Sequence, residues 1–285
     1  MKKLIVANWK NHPDTLAEAE QILDSVDEYL ASLETEEFSL VFCPPFVFTE
    51  EVGKILGTSH LIHQAELGAQ DISTDDNTAL TPHQADPLTA VKKGGGLGTG
   101  QAGTGEISGL MLKNLGVRYV IIGHSERRWK IGESDEVVNQ KLKAVLRNEM
   151  VPIVCVGERV RDENFKEFLN GQVIATFAGL SPDEISRCII AYEPVWAIST
   201  TPDSRPDTPQ NALESIKIIQ DTLVSNLEIR ASDLNFLYGG SVNSGNVSDF
   251  LSQKEINGVL VGGASVNKEE FVKILAIASK IKSVS

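Results

Sequence analysis

Eight short apolar runs recur along the chain: "LIVAN", "SLVFCPP", "LIHQAELGAQ", "RYVIIGH", "VPIVCVGE", "RCIIAYE", "NFLYGG" and "NGVLVGG". Most are followed by an amphipathic stretch with helical spacing. The runs are rich in β-branched residues and do not alternate apolar with polar, which is the pattern of strands covered on both faces in a parallel sheet. Parallel neighbours require a crossover, and the amphipathic stretches supply one each. Eight strand–helix units within 285 residues favour one closed barrel over an open doubly wound sheet. The expected fold class is therefore α/β, with residues 1–285 forming a single (β/α)8 barrel domain.

One stretch breaks the rhythm. Between "GAQDIS" and "TGEIS", residues 74–103 read "TDDNTALTPHQADPLTAVKKGGGLGTGQAG", with a glycine-rich second half. The expectation is an enlarged loop after strand three, inserted within the barrel. A loop of that length without elements of its own is either functional or disordered.

Charge narrows the partners. The formal net charge is −13 and the sequence pI about 4.9. Such a field repels nucleic acid and anionic membranes, so neither is an expected partner, and an anionic ligand must be held by a local positive site. Cys43, Cys155 and Cys188 are odd in number and each sits in or at the end of an apolar run, which suits core thiols in a reducing compartment. The opening "MKKLIVANWK" has too short an apolar run for a signal peptide, and no 18-residue apolar segment follows. A cytoplasmic location is expected.

In such a barrel, chemistry gathers where strands end. The runs end in Asn8, Trp9 and Lys10; in Gly123, His124, Ser125 and Glu126; in Glu193 and Pro194; in "YGGS", Tyr238 to Ser241; and in "VGGAS", Val261 to Ser265. A carboxylate facing a closed cleft can be desolvated toward the ~6–7 range useful to a general base. A histidine can donate a hydrogen bond to a carbonyl, and a lysine can stabilise negative charge as it develops. The two Gly-Gly turns allow backbone N–H groups to approach a phosphate. Taken singly, each feature has a plainer reading: a structural histidine, tight turns, or, for Glu126, Arg127 and Arg128, a surface charge run. Together they fit proton transfer next to a carbonyl on a small phosphorylated substrate.

These motifs also carry a resemblance. "ANWK", "GAQDIS", "TGEIS", "LGVRYVIIGHSERR", "GESDEVVNQK", "PIVCVGE", "AYEPVWAI", "YGGSVNSGN" and "GVLVGGASV", in this order over nearly the whole chain, are similar to the triosephosphate isomerase family. The resemblance implies a TIM barrel that interconverts dihydroxyacetone phosphate and D-glyceraldehyde 3-phosphate through a cis-enediolate, needs no cofactor and no metal, and works as a homodimer. It implies Glu193 as the base, His124 as a neutral electrophile, Asn8 and Lys10 as holders of the enediolate, and Glu126 as the group orienting Lys10. It further implies that Ser199, Ser241, Gly262 and Gly263 hold the phosphate, that Trp196 is a hinge of a closing lid, and that Thr104 approaches the neighbouring subunit.

Three departures qualify the resemblance. Ser199, Thr200 and Thr201 stand where the family usually has Gly-Thr-Gly, and extra residues with Pro202 and Pro206 precede Thr208 and Pro209, so a longer and stiffer lid is expected. The 74–103 stretch enlarges the loop that family members extend into a partner. Asp71 stands where asparagine is more usual. An isomerase of another small ketose or aldose phosphate, and a non-catalytic barrel serving as a binding scaffold, remain alternative readings at this point.

Overall fold

The computed structural model describes residues 2–33, 38–59, 61, 65–74, 104–199 and 201–281. Eight strands alternate with helices: β1 (Lys3–Asn8), β2 (Phe38–Cys43), β3 (Ala65–Ala69), β4 (Tyr119–Ile122), β5 (Val151–Val156), β6 (Ile189–Tyr192), β7 (Asn235–Tyr238) and β8 (Gly258–Val261). Each pairs in parallel with the next, and β8 pairs with β1, so the sheet closes into a barrel. The register sets Asn8 beside Cys43, Ala7 beside Val261, and Tyr192 beside both Val156 and Tyr238. The residues that follow these positions therefore meet at one rim.

The absence of alternation in the sequence has a direct cause, since both faces of every strand are covered. Val6, Val41, Ile121, Ile153, Leu237 and Leu260 point inward with Cys43, Cys155 and Ala191 and fill the barrel. Ile5, Phe42, Ile122, Ile190 and Val259 point outward against the helices. Helix Leu16–Ala31 shows the matching stripe: Ala19, Ile22, Leu23, Val26 and Leu30 are buried, and a capping box between Thr15 and Glu18 fixes its start. Fully burying one such aliphatic side chain stabilises by about 1.5–3 kcal/mol. The core is thus packed mainly by apolar side chains, with polar groups gathered at the rim.

All three cysteines are buried and free. Burial pushes the Cys43 thiol up, and that of Cys188 up to about 12. Asp71 ends in an ion cluster below the rim: Lys141 Nζ lies 2.6 Å and Arg127 Nη2 2.8 Å from its Oδ2, and Lys141 and Arg127 also reach Glu133. Burial pushes the Asp71 carboxyl up against the opposing pull of Lys141 and Arg127. Apart from Thr74, the expected enlarged loop lies outside the described residues, as does Thr200. Among the described residues no helix is long and apolar enough to cross a membrane.

Candidate active site

The strand ends enclose an open cavity of about 530 Å³. Asn8, Lys10, His124, Glu126, Glu193, Ser199, Ser241, Gly262 and Gly263 all line it, so every sequence-predicted site residue reaches one place.

Glu193 leaves the end of β6 with its side chain buried. Its backbone lies so close to β5 that a methyl group on Gly157 would come within 1.9 Å of the Glu193 carbonyl oxygen, which explains the glycine after "PIVCV". One carboxylate oxygen, Oε2, accepts a 2.9 Å hydrogen bond from the Ser125 N–H, and the other, Oε1, lies 3.1 Å from His124 Nε2. Both groups are buried, so their interaction is little screened by water.

The histidine's state follows from its other nitrogen. Nδ1 accepts a 3.2 Å hydrogen bond from the Glu126 N–H, so it carries no proton. The ring is neutral, with its single N–H on Nε2 aimed at Glu193 and the cavity. When Glu193 turns to another partner, that N–H remains available to a carbonyl oxygen.

Lys10 supplies positive charge from the end of β1. Its backbone is held at φ 55°, a left-handed conformation that costs a non-glycine residue free energy. Two contacts stabilise that bend: the Lys10 N–H donates to Asn8 Oδ1 at 3.1 Å, and Gln70 Nε2 donates to the Lys10 carbonyl at 2.7 Å and the Cys43 carbonyl at 3.0 Å. The Lys10 ammonium lies 3.3 Å from Glu126 Oε1. Burial pushes the Glu126 carboxyl up, but Lys10 and Lys130 outweigh this and hold it below the usual carboxylate range.

On the opposite wall, Ser199 N–H donates to Ser241 Oγ at 2.7 Å, joining the segment after β6 to the turn after β7. That segment is anchored at its base. Trp196 Nε1 donates to Glu158 Oε1 at 2.9 Å, the Tyr192 hydroxyl donates to the same oxygen at 2.8 Å, and Thr201 Oγ1 donates to the Val195 carbonyl at 2.7 Å. The Arg205 guanidinium stands 5.1 Å from the Trp196 ring centre. Thr208 caps the next helix, Pro209–Leu227, and ends the segment.

Sequence reasoning assigned no role to Gln70, Glu158 or Lys130. Glu158 follows an apolar strand just as Glu193 does, so its signal was present. Arg127 and Arg128, read as a possible surface run, are instead tied inward: Arg128 is buried and donates to the Gly123 and Cys155 carbonyls.

Comparison with known proteins accords with this geometry. Residues 3–87 and 98–278 match the family model described as triosephosphate isomerase. The chain is 37% identical over 279 residues to the triosephosphate isomerase of Thermoanaerobacter pseudethanolicus, covering 96% of this chain and 98% of that one. It is 37% identical to the Saccharopolyspora erythraea triosephosphate isomerase, covering 97% and 96% respectively. Among solved structures, the triosephosphate isomerase of Bartonella henselae superposes with a TM-score of 0.75 at 28% identity, covering 98% of this chain and 100% of that one.

Proposed function

The chain belongs to the triosephosphate isomerase family and is an isomerase of triose phosphates, and from that premise we propose how its own side chains divide the reaction. The observation that carries the proposal is the buried pair of Glu193 Oε1 and His124 Nε2, 3.1 Å apart beside Lys10 in one cavity. Glu193 removes a proton from the carbon next to the substrate carbonyl. The electron pair of that C–H bond moves into a new C=C bond, and the carbonyl oxygen gains the negative charge. The His124 N–H, the Lys10 ammonium and Asn8 stabilise that charge. The proton of the adjacent hydroxyl passes to the former carbonyl oxygen by way of the His124 Nε2 position. Glu193 returns its proton to the former carbonyl carbon while a new C=O forms on the other carbon, which completes the aldose–ketose exchange. No redox step and no second reactant is required.

The phosphate is assigned to the wall formed by Ser199, Ser241, Gly262 and Gly263. Backbone N–H groups on these turns can surround an anion without carrying formal charge, while Lys10 supplies the cation that a −13 chain needs there. The reading takes residues 1–285 as one barrel domain. Within its 74–103 insertion, residues 88–97 fall between the two matched parts of the family model, which supports extra residues at that place. It also takes the protein as cytoplasmic.

Running the reaction in deuterated water tests the proton path. Glu193 exchanges its proton with solvent, so the product should carry deuterium on the carbon that received it. Normal turnover with complete retention of the substrate hydrogen would overturn the assignment.

We also infer a homodimer. Val47, on the turn after β2, stands 83% exposed near the same rim as Lys10, an apolar contact that a second copy would cover. Thr104 is also exposed. Sedimentation at micromolar concentration should give about twice the 30.9 kDa chain mass, and a monomer alone would contradict the inference.

A further inference from the structure

The local positive site demanded by the chain's charge contains more than Lys10. Residues Arg127–Ile131 form a single π-helical turn after β4, and this turn carries Lys130 back over Glu126. Lys130 lines the same cavity as His124 and Glu193. Its ammonium donates to Glu126 Oε1 at 3.0 Å, closer than the 3.3 Å contact that Lys10 makes with the same oxygen. Through its backbone, Glu126 also fixes His124 Nδ1. One carboxylate oxygen thus links two lysines on different strands' ends.

The charge of this group differs sharply with and without Lys130. Lys10 and Glu126 alone sum to zero, so the anchor that positions Lys10 also screens it from an anionic ligand. With Lys130 present the three carry a net +1 on the cavity wall. Lys130 lies on the β4 side, whereas the phosphate-binding turns follow β7 and β8. It is therefore suited to act on Glu126 rather than to touch the phosphate.

We propose that Lys130 is a positioning residue for the isomerase reaction: by neutralising Glu126 it leaves the Lys10 charge free to act on the anionic substrate. This rests on the reading of Lys10 and Glu126 given above. The Lys130 side chain is 66% exposed, so it serves no core and its removal should not disturb folding. Exposed ion pairs couple weakly, which bounds the effect to about two- to fivefold.

Four variants decide the matter: Lys130→Gln, Lys130→Arg, Glu126→Gln, and the pair Glu126→Gln with Lys130→Gln. Lys130→Gln should raise KM for dihydroxyacetone phosphate about two- to fivefold with kcat within about twofold, and Lys130→Arg should restore KM. With Glu126→Gln already present there is no carboxylate left to neutralise, so adding Lys130→Gln should change KM no further. An unchanged KM in Lys130→Gln, or an equal shift in the Glu126→Gln background, would overturn the proposal. A Glu126→Gln variant with wild-type kinetics would instead remove the role of Glu126 itself, and the Lys130 proposal with it.

Discussion

Glu193→Gln should retain the fold and lose about 10²–10⁴-fold in kcat, the usual share of a positioned general base. Glutamine has the shape of glutamate but cannot take a proton from carbon, so the loss belongs to the chemical step. The wild-type carboxylate accepts from two donors, the Ser125 N–H and the His124 N–H. An amide has one oxygen for these two donors, so one contact must become donor against donor. That predicts a stability loss of about 1–3 kcal/mol without unfolding. Circular dichroism and thermal unfolding should show a folded variant, and a coupled assay should show the collapse in rate. Turnover near wild type would remove Glu193 from the mechanism.

Lys10→Met is expected to cost about 10²–10³-fold in kcat, as for loss of one preorganised donor to developing charge, and to raise KM as well. Two features make this substitution a clean test. Methionine has the same unbranched stem, so it adopts the φ 55° backbone at the same cost as lysine, and Gln70 can still bind the carbonyl at position 10. Glu126 keeps its contact with Lys130, so no carboxylate is left without a cation. Inorganic phosphate should bind the variant more weakly in titration calorimetry. Unchanged kcat and KM would place Lys10 outside the site.

The barrel was legible because its strands carry continuous apolar runs, and continuous runs report burial on both faces. β4 and β8, each only four residues, were still found because "VII" and "VLV" are bounded by glycine on at least one side. Glu193 and His124 were legible from the same logic, as polar residues placed directly after such runs. Gln70 was not, because its meaning lies in a carbonyl at Lys10, sixty positions earlier, which closes only when β1, β2 and β3 are neighbours. Lys130 has a local signal, four residues beyond Glu126, but an ordinary helical pair would look the same. Only the π turn and the cavity beside it give that spacing a role. The departures after β6 were visible as prolines and missing glycines, yet the Ser199 to Ser241 hydrogen bond depends on β6 and β7 lying side by side, and the Arg205 contact with Trp196 on the segment folding back on itself.

The burial of every native thiol makes the molecule convenient to instrument. Cys43, Cys155 and Cys188 are inaccessible and held in the unreactive protonated form, so alkylating dyes at neutral pH have no natural target. A cysteine introduced at an exposed position such as Ser204, between Trp196 and Thr208, would be the sole site of labelling. Its fluorescence would show whether that segment moves during turnover, with no need to delete a native cysteine first.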